Sequence, residues 1–522
     1  MAFTSVQDLR PRRSSFNLSH TKCFDCDMGQ LIPVLVQECI PGDSFTIANE
    51  AVVRFQPMVA PMLTPVNIET RYFFVPNRLV FNISADGTTT GDQRKWTDFI
   101  TGGVEGTADI PMPILQASVR ASKYSIWDYF GLPVLSPSDQ DLSALKVSCL
   151  PFRAYNMIWN EFFRDENLQS PVNLDDWSIQ KVAWKKDYFT SALPWQQRGV
   201  SPALPLSGNA SVNISSLTFP ANTNIGQLSS NIFSAKPVGI DGYVLSSNTR
   251  NVQGSGSSVP VTAEGSADVS QIATFDVADL RLAFQIQKWM ERNARCGVRY
   301  VEFLRAHFGI APHDETLQRP EYIGGSKSPL IVSEVLQTSA SSANSTPQGT
   351  FTGHGISADH TYIGRYVARE FGWIIGVMYI RPEASYSQGI PRGFTRESRY
   401  DFYFPEFANL SEQAISEKEI YGVPGTAPEV LNRIFGYQGR FDELRHAQSK
   451  FCGAMRDTLN YWHLGRTFAD APNLNGDFIT CNPSKRIFAV QNIPEVIVNF
   501  ANIIKAVRPI PKDSNPGLID HS

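Results

Sequence analysis

The sequence has few charged residues for a chain of its length. Only 18% of its 522 residues are Asp, Glu, Lys or Arg, whereas about 25% is typical of globular proteins. The apolar content is ordinary, with 42% hydrophobic residues and 36 glycines, which argues against a disordered, solvating chain. The formal net charge of −4 excludes a globally basic nucleic-acid-binding protein but leaves a local basic patch open.

Long hydrophobic runs and a regular cysteine pattern are also missing. The longest nearly uncharged apolar stretch, residues 371–380, is about half of the roughly 20 residues that a membrane-spanning helix needs, so we expect no membrane insertion. Residues 1–20 contain arginines without a following apolar core, unlike a secretory signal. The 7 cysteines are odd in number and irregularly spaced, which argues against a disulfide framework and favours folding in a reducing cytoplasm.

Motifs of common catalytic sites do not occur. The sequence has no P-loop, no G-x-S-x-G nucleophile elbow and no H-E-x-x-H zinc helix. Cys23 and Cys26 form a lone C-x-x-C, but a structural zinc site needs a second pair of ligands, so two ordinary thiols are the simpler interpretation. His354 and His360 lack a carboxylate arranged as a metal ligand. We therefore predict no enzymatic activity, no catalytic residue, no metal ion and no cofactor.

Apolar runs between Pro- and Gly-rich turns predict a β protein. Strands of this length and spacing indicate a sandwich or barrel rather than β-α-β units. They recur along the whole chain, which favours one sheet system with long insertions. Helical periodicity predicts helices that start at Pro151, cover residues 276–293 and resume from Val301 to Phe308. The predicted strands are residues 30–40, 44–55, 67–75, 331–337, 368–381 and 487–507.

Residues 201–270 differ from the rest in composition. They are rich in Ser, Gly, Asn and Thr and poor in charge, which is typical of a disordered linker. Apolar residues nevertheless recur throughout, so we favour an ordered, β-rich surface excursion. Residues 338–361, a shorter Ser- and Gly-rich segment, are predicted to form a loop.

Five cations recur at helical spacing: Arg281, Lys288, Arg292, Arg295 and Arg299. At about 100° per residue they lie within about 60° of one another, provided that one helix runs through Gly297. A solvated helix face is the simpler interpretation, and a stripe that contacts nucleic-acid phosphates is the functional alternative. Arg10, Arg12 and Arg13 are a second candidate, as a phosphate-binding arm or a solubilising terminus.

Motifs spread over most of the chain occur in the order that one family shows. They are LIPVLVQECIPGDSF (31–45), TRYFFVPNRLVF (70–81), YNMIWNEFFRDENLQ (155–169), LPWQQRG (193–199), LQRPEYIGGSK (317–327), STPQGTFTGHGISA (345–358), QGIPRGF (388–394), DFYFPEFANLSEQ (401–413) and FGYQGRF (435–441). The ordered set resembles the major capsid proteins of gokushoviruses, which are small, tailless, single-stranded DNA phages of the Microviridae. Residues 201–270 match no fixed pattern.

The resemblance implies a mainly β fold, an eight-stranded antiparallel viral jelly roll whose long insertions contain helices. It implies a T=1 icosahedral shell around a circular single-stranded DNA genome, present in the virion and assembled in the host bacterial cytoplasm. Implied partners are other copies of the chain, the packaged DNA, and phage scaffolding, DNA-pilot and small DNA-binding proteins.

A variable insertion in the family forms protrusions at the threefold positions, thought to contact the host surface. Residues 201–270 match this insertion by position and composition, so we expect them to meet a host cell-surface receptor. The candidate attachment residues are Phe219, Ile232, Phe233 and Tyr243.

The expected organisation is an N-terminal arm (1–29), a first part of the jelly-roll core with helical insertions (30–200), the surface insertion (201–270) and the remaining core (271–522). Interface cores are poor in charge and rich in aromatic residues, so the uncharged surface outside 201–270 is expected to be interface. The aromatic candidates are Phe402, Tyr403, Phe404 and Phe407, for which a folded core is the alternative.

Two other function classes stay open on the residues alone. One is a β-sandwich module of a phage or host surface protein that binds glycan through residues 201–270. The other is an enzyme on a cupin-like β fold, which requires a metal-histidine cluster that the sequence does not show.

Overall fold

The computed structural model separates the chain into two compact units, Met1–Arg198 with Glu291–Ser522, and Gly199–Met290. Each unit is described by itself. The described residues are 12–81, 94–101, 110–116, 121–134, 145–202, 211–218, 262–268, 277–296, 299–310, 313–314, 316–336, 351–408 and 410–512.

Antiparallel strands dominate the larger unit, as the sequence predicts. The fold is mainly β, and the predicted strands at 44–55 and 67–75 correspond closely to β4 and β5. The strands of the whole chain are β1 (Ser14–Asn17), β2 (His20–Cys26), β3 (Ile32–Cys39), β4 (Ser44–Phe55), β5 (Val66–Pro76), β6 (Ile114–Gln116), β7 (Lys146–Ser148), β8 (Ser211–Thr218), β9 (Thr262–Asp268), β10 (Glu321–Leu336), β11 (Phe351–Val367), β12 (Gly372–Pro382), β13 (Glu412–Ser416), β14 (Ile434–Gly439) and β15 (Val496–Arg508).

One nine-stranded sheet contains most of these strands, in the order β1-β15-β4-β11-β10-β5-β12-β3, with β2 also paired to β15. The long strand β10 pairs with β5 along residues 321–330 and with β11 along residues 331–336. The order therefore falls into two four-stranded layers, β2-β15-β4-β11 and β3-β12-β5-β10, which β10 connects. Within the N-terminal arm expected at residues 1–29, Ser14–Asn17 and His20–Cys26 form strands β1 and β2 of this sheet.

The main apolar core lies between the two layers. Strand β15 alternates buried and exposed residues along its length, as expected for a strand with one face toward a core. Val498 and Phe500 of β15 share one buried cluster with Ile32 and Met378 from the other layer. Two clusters of this kind fill the space between the layers.

The outer faces of the two layers differ in their cover. On the β3-β12-β5-β10 layer, Phe73 and Ile375 pack against a cluster that includes Trp127 and Tyr155 from helices. On the other layer, outward-facing Val52, Ile497 and Ile503 are exposed. Helical insertions therefore cover one layer, whereas apolar side chains of the other face solvent in the isolated chain.

The predicted loop over residues 338–361 is wrong for residues 351–361, because these belong to the central strand β11. A β-carbon on Gly353 would lie 2.7 Å from the carbonyl oxygen of Ala60, and one on Gly355 would lie 2.8 Å from the Phe55 ring. Neighbouring groups approach the strand so closely that only glycine fits at these two positions. These two glycines, which contributed to the predicted loop, therefore reflect tight packing.

Helices occupy the insertions, and α5 and α6 lie close to their predicted positions. Pro151 occupies the first turn of α4, as predicted. Within the described ranges, no helix is both long and apolar enough to cross a membrane. The α-helices are α1 (Asn77–Phe81), α2 (Arg94–Thr101), α3 (Ile126–Tyr129), α4 (Leu150–Ile158), α5 (Val277–Cys296), α6 (Tyr300–Phe308), α7 (Pro428–Leu431) and α8 (Gly476–Ile479).

Strand β3 forms the outer edge of its layer, and side chains from the opposite layer bind its backbone. Lys22 Nζ donates to the carbonyl of Pro33 at 2.7 Å, and Asn502 Nδ2 donates to that of Val34 at 3.0 Å. Arg508 Nη2 donates to the carbonyl of Glu38 at 3.0 Å. Pro33 itself has no N–H, as is common on edge strands.

Glu495, directly before β15, is a buried carboxyl group that is 2% exposed. It accepts a hydrogen bond from the backbone N–H of Met28 at 3.2 Å. Burial raises the pKa of Glu495 to about 7. Between about pH 4.5 and 7 the folded chain therefore holds a proton that the unfolded chain has released, and stability falls as pH rises through this window.

Replacing Glu495 with Gln should remove this pH dependence, because the amide keeps an acceptor oxygen and never ionises. Relative to wild type, Glu495→Gln should gain up to about 3 kcal/mol as pH rises from 4.5 to 7. Apparent melting temperatures of both proteins, measured at one scan rate across this range, check the prediction. Parallel pH profiles for the two proteins would contradict it.

Candidate functional site

A group of exposed aromatic side chains lies in the segment between β12 and β13. Five of its rings, from Phe394, Tyr400, Phe402, Tyr403 and Phe404, are 45–83% exposed, and we call this set the aromatic surface. Short 3-10 turns at Arg392–Phe394, Arg399–Asp401 and Pro405–Phe407 carry the segment. Because 3-10 turns are only three or four residues long, they offer no long apolar stripe for packing, and these five side chains remain exposed.

Hydrogen bonds and ring contacts fix the conformation of the aromatic surface. Ser398 and Asp401 form a capping box around the middle turn. The Phe404 ring lies 6.0 Å from the ring of Phe407, and the Tyr403 ring lies 5.2 Å from that of Phe441. Phe441 is buried and Phe407 is half-buried. The exposed rings are therefore held in place before any partner binds.

The turn directly after β13, Glu417–Glu419, carries two buried carboxylates that pair with arginines. Arg392 Nη1 lies 3.1 Å from Glu419 Oε1, and Arg433 Nη2 lies 3.3 Å from Glu417 Oε2. Burial raises the pKa of both Glu417 and Glu419, and the arginines partly counteract this rise. The arginines therefore offset part of the cost of burying these two carboxyl groups.

The predicted basic stripe is not one helix face. Helix α5 ends at Cys296, and Arg299 precedes α6 with an extended backbone, φ −67° and ψ 140°. The condition of one helix through Gly297 is therefore wrong, because α5 ends before Gly297 and Arg299 has an extended backbone.

Three of the five stripe cations bind groups within the chain. Arg295 pairs with the buried carboxylate of Glu412. Arg299 Nε lies 2.5 Å from Glu166 Oε1, and Arg292 Nη2 donates to the carbonyl of Ala306 at 2.6 Å. Arg281 and Lys288 are exposed. A role of the five in nucleic-acid binding stays a prediction.

The remaining predicted site residues are the N-terminal arginines and the candidate attachment residues. Arg12 and Arg13 are exposed just before β1, whereas Arg10 is outside the described residues. Phe219, Ile232, Phe233 and Tyr243 are also outside them. In the smaller unit, β8 and β9 pair from Ser211↔Asp268 to Thr218↔Thr262.

Cys23 and Cys26 lie on β2, three residues apart, so their side chains point to opposite faces of the sheet. Cys23 is exposed and Cys26 is buried. Burial of Cys26 raises the pKa of its thiol. Across the described part of the chain, no group of three or more His, Cys, Asp or Glu residues is placed to hold a metal ion.

The residues supporting the aromatic surface were not recognised from sequence. Glu412 and Arg295 are 117 positions apart, and neither has a local pattern that indicates the other. The buried carboxylates Glu417 and Glu419 lie in a segment, Ser-Glu-Lys-Glu, that looks like a solvated turn. Their partners Arg392 and Arg433 lie before β13 and just before β14, so only the folded chain places the arginines against these carboxylates.

Comparison with known proteins decides the family. A family model described as capsid protein (F protein) matches residues 4–518. The chain belongs to this capsid protein family. Its role is therefore structural, and membership implies self-assembly into a capsid and a place in the virion.

Relatives from three phages agree with this assignment. The capsid protein VP1 of Chlamydia phage 1 is 33% identical over 99% of this chain and 97% of its own length. Capsid protein VP1 of Bdellovibrio phage phiMH2K is 31% identical over 98% of the chain and 96% of its own length. That of Spiroplasma virus 4 is 29% identical, covering 97% and 95%. The resemblance to gokushovirus capsid proteins is thereby confirmed.

Arg295 should contribute to folding through its pair with Glu412. Arg295→Ala leaves the Glu412 carboxylate, 1% exposed, without its charged partner. We expect a loss of about 2 kcal/mol, less than for a fully buried pair because Arg295 is half exposed. Arg281→Ala, at an exposed stripe position, is the matched control and should leave stability unchanged. Urea unfolding midpoints measure both effects, and equal midpoints for the two variants would contradict a structural role for Arg295.

Proposed function

We propose that this capsid protein forms a T=1 icosahedral shell around a circular single-stranded DNA genome. The observation that carries the proposal is the match of the capsid family over residues 4–518. In this proposal, scaffolding, DNA-pilot and small DNA-binding proteins of the phage are further partners, and assembly takes place in the host bacterial cytoplasm.

The order of the strands supports a viral jelly roll. Eight strands make two layers, β2-β15-β4-β11 and β3-β12-β5-β10. Along the chain, strands β2 to β5 alternate between the layers, β10 and β11 form the hairpin that joins them, and β12 and β15 alternate again. Two interleaved four-stranded antiparallel sheets of this kind are the arrangement expected for a jelly roll.

The aromatic surface is suited to contact with neighbouring subunits. Exposed aromatic residues and arginines are the residue types enriched at protein interfaces. The rings are also pre-ordered, which lowers the entropy lost on association. We assign Phe402, Tyr403 and Phe404 to direct contact, and Phe407, which is half-buried, to their support.

Residues 201–270 are proposed to form the threefold protrusion that contacts a host cell-surface receptor. The hairpin β8–β9 belongs to the compact unit Gly199–Met290, which supports an excursion separate from the shell-forming part. Phe219, Ile232, Phe233 and Tyr243 remain the proposed contact residues. The exposed cations Arg281, Lys288, Arg12 and Arg13, with Arg10, are proposed to face the genome.

Assembly of the purified full-length chain tests the central proposal. The wild type should form closed isometric particles in electron micrographs. Tyr403→Ser with Phe404→Ser should reduce particle yield at least tenfold while the soluble chain stays folded, because both rings are exposed. Asp470→Ser is the control, since Asp470 is exposed and charged and lies outside the aromatic surface. A wild type that remains a compact monomer or trimer would instead favour the glycan-binding alternative.

Removal of the protrusion tests whether residues 201–270 serve host attachment and the rest of the chain forms the shell. Ser211 and Asp268 are directly paired at the base of the hairpin, so a short Gly-Ser turn can replace residues 212–267 without separating the flanking chain ends. The shortened protein should still assemble but should lose adsorption of particles to host cells. A control that replaces only the exposed Tyr362 with Ser should retain adsorption. Loss of assembly on deletion would show that the excursion is part of the shell contacts.

A further inference from the structure

A cationic cavity lies beside the aromatic surface and above the β13–β14 hairpin. Its volume is about 260 Å³. The lining side chains include four cations, Arg392, Arg396, Lys418 and Arg440, and two carboxylates, Glu397 and Asp401. All of these belong to the larger unit. No predicted site includes the cations of this cavity.

Two of the four cations are neutralised within the chain. Arg392 contacts Glu419, and Arg396 Nη2 lies 3.5 Å from Glu443 Oε1. Arg396 also lies over the Phe402 ring, with its guanidinium carbon 5.3 Å from the ring centroid. These contacts hold the two guanidinium groups at the wall of the cavity and do not use all of their donors, since Arg396 Nε has no hydrogen-bond partner.

The other two cations, Lys418 and Arg440, form no ion pair within the described residues. Arg440 Nη2 donates to the carbonyl of Tyr400 at 3.2 Å, and its guanidinium carbon lies 4.8 Å from the centroid of the Phe441 ring. Arg440 Nε is buried without a partner. Both side chains are half-buried, so their charges are less screened by water than those of fully exposed cations.

The two lining carboxylates do not offset these cations by direct contact. Asp401 accepts hydrogen bonds from the backbone N–H groups of Ser398 and Glu397, at 2.8 and 3.1 Å. These bonds lower the pKa of Asp401 and direct its carboxylate to the turn. Glu397 is exposed. A small polar cavity therefore contains two positive groups that lack an anion.

A phosphate group fits this environment better than a protein partner does. The cores of protein interfaces are depleted in charge, and an unpaired lysine enclosed in one is costly. A phosphodiester offers two acceptor oxygens with a full negative charge, and arginine binds it in a fixed, bidentate geometry.

We propose that this cavity binds a backbone phosphate of single-stranded DNA, with Lys418 and Arg440 as the principal contacts and Arg392 and Arg396 as the supporting wall. The proposal rests on the proposed enclosure of a single-stranded genome and gives that genome a contact at the turn region, in addition to the exposed cations already proposed to face it. The contact is independent of base sequence.

Binding of the full-length chain to a fluorescein-labelled oligo(dT) tests the site, by fluorescence anisotropy at several NaCl concentrations. Lys418→Gln with Arg440→Gln should weaken binding about tenfold at low salt. The slope of log affinity against log salt should become less steep by about 0.7, the value for one phosphate on a single strand. Lys418→Arg with Arg440→Lys should retain most of the affinity. Lys185→Gln with Lys505→Gln removes the same charge elsewhere and is the control.

Three outcomes would overturn the proposal: a wild type that does not bind the oligonucleotide, unchanged binding in the Lys418/Arg440 variant, or an equal loss in the control. Unchanged DNA binding with lost particles would instead assign the cavity to an acidic group of a neighbouring subunit. If the wild type binds DNA but forms no particles, and the Lys418/Arg440 variant alone loses DNA binding, the shell proposal fails and the phosphate site stands.

Discussion

Strand β10 determines how the rest of the chain is arranged, because it pairs with a different neighbour along each part of its length. Residues 321–330 belong to one layer and residues 331–336 to the other. Because this strand pairs into both, it joins the two layers that enclose the apolar core. The helices, the aromatic surface and the β8–β9 hairpin all lie in insertions between core strands of the chain.

The predictable part of the fold was the part with simple periodicity. Strands β3, β4, β5, β12 and β15 and helices α5 and α6 have apolar patterns that match their periods. Strand β11 was missed because Gly353 and Gly355 are required by close packing from Ala60 and Phe55, which no local pattern reveals. The basic stripe failed as one face because spacing alone does not show that the helix ends before Arg299. The exposed rings of Phe402, Tyr403 and Phe404 were identified from composition, whereas those of Phe394 and Tyr400 were not. The arginine and carboxylate supports come from distant segments.

The low charge content of the sequence now has a physical context. Some of the few charges are used inside the chain, because the buried acids Glu412, Glu417 and Glu419 pair with Arg295, Arg433 and Arg392. One layer of the sandwich keeps exposed apolar residues, including Val52, Ile497 and Ile503. A capsid subunit contacts several neighbours, and charge on those surfaces would have to be desolvated. The composition is consistent with a chain whose exposed surface is largely intended for contact.

The side chains on the edge of β3 have a consequence for many copies of the chain crowded together. An open strand edge is a template on which another chain adds a strand, and repeated addition gives growth without an end. Side chains of Lys22, Asn502 and Arg508 already bind carbonyls of this edge, and Pro33 has no N–H to donate to an added strand. Backbone pairing between molecules is therefore disfavoured there, and association is left to side chains, whose geometry sets an angle between neighbours. Contacts with a defined angle can close on themselves, which separates a finite container from a fibre.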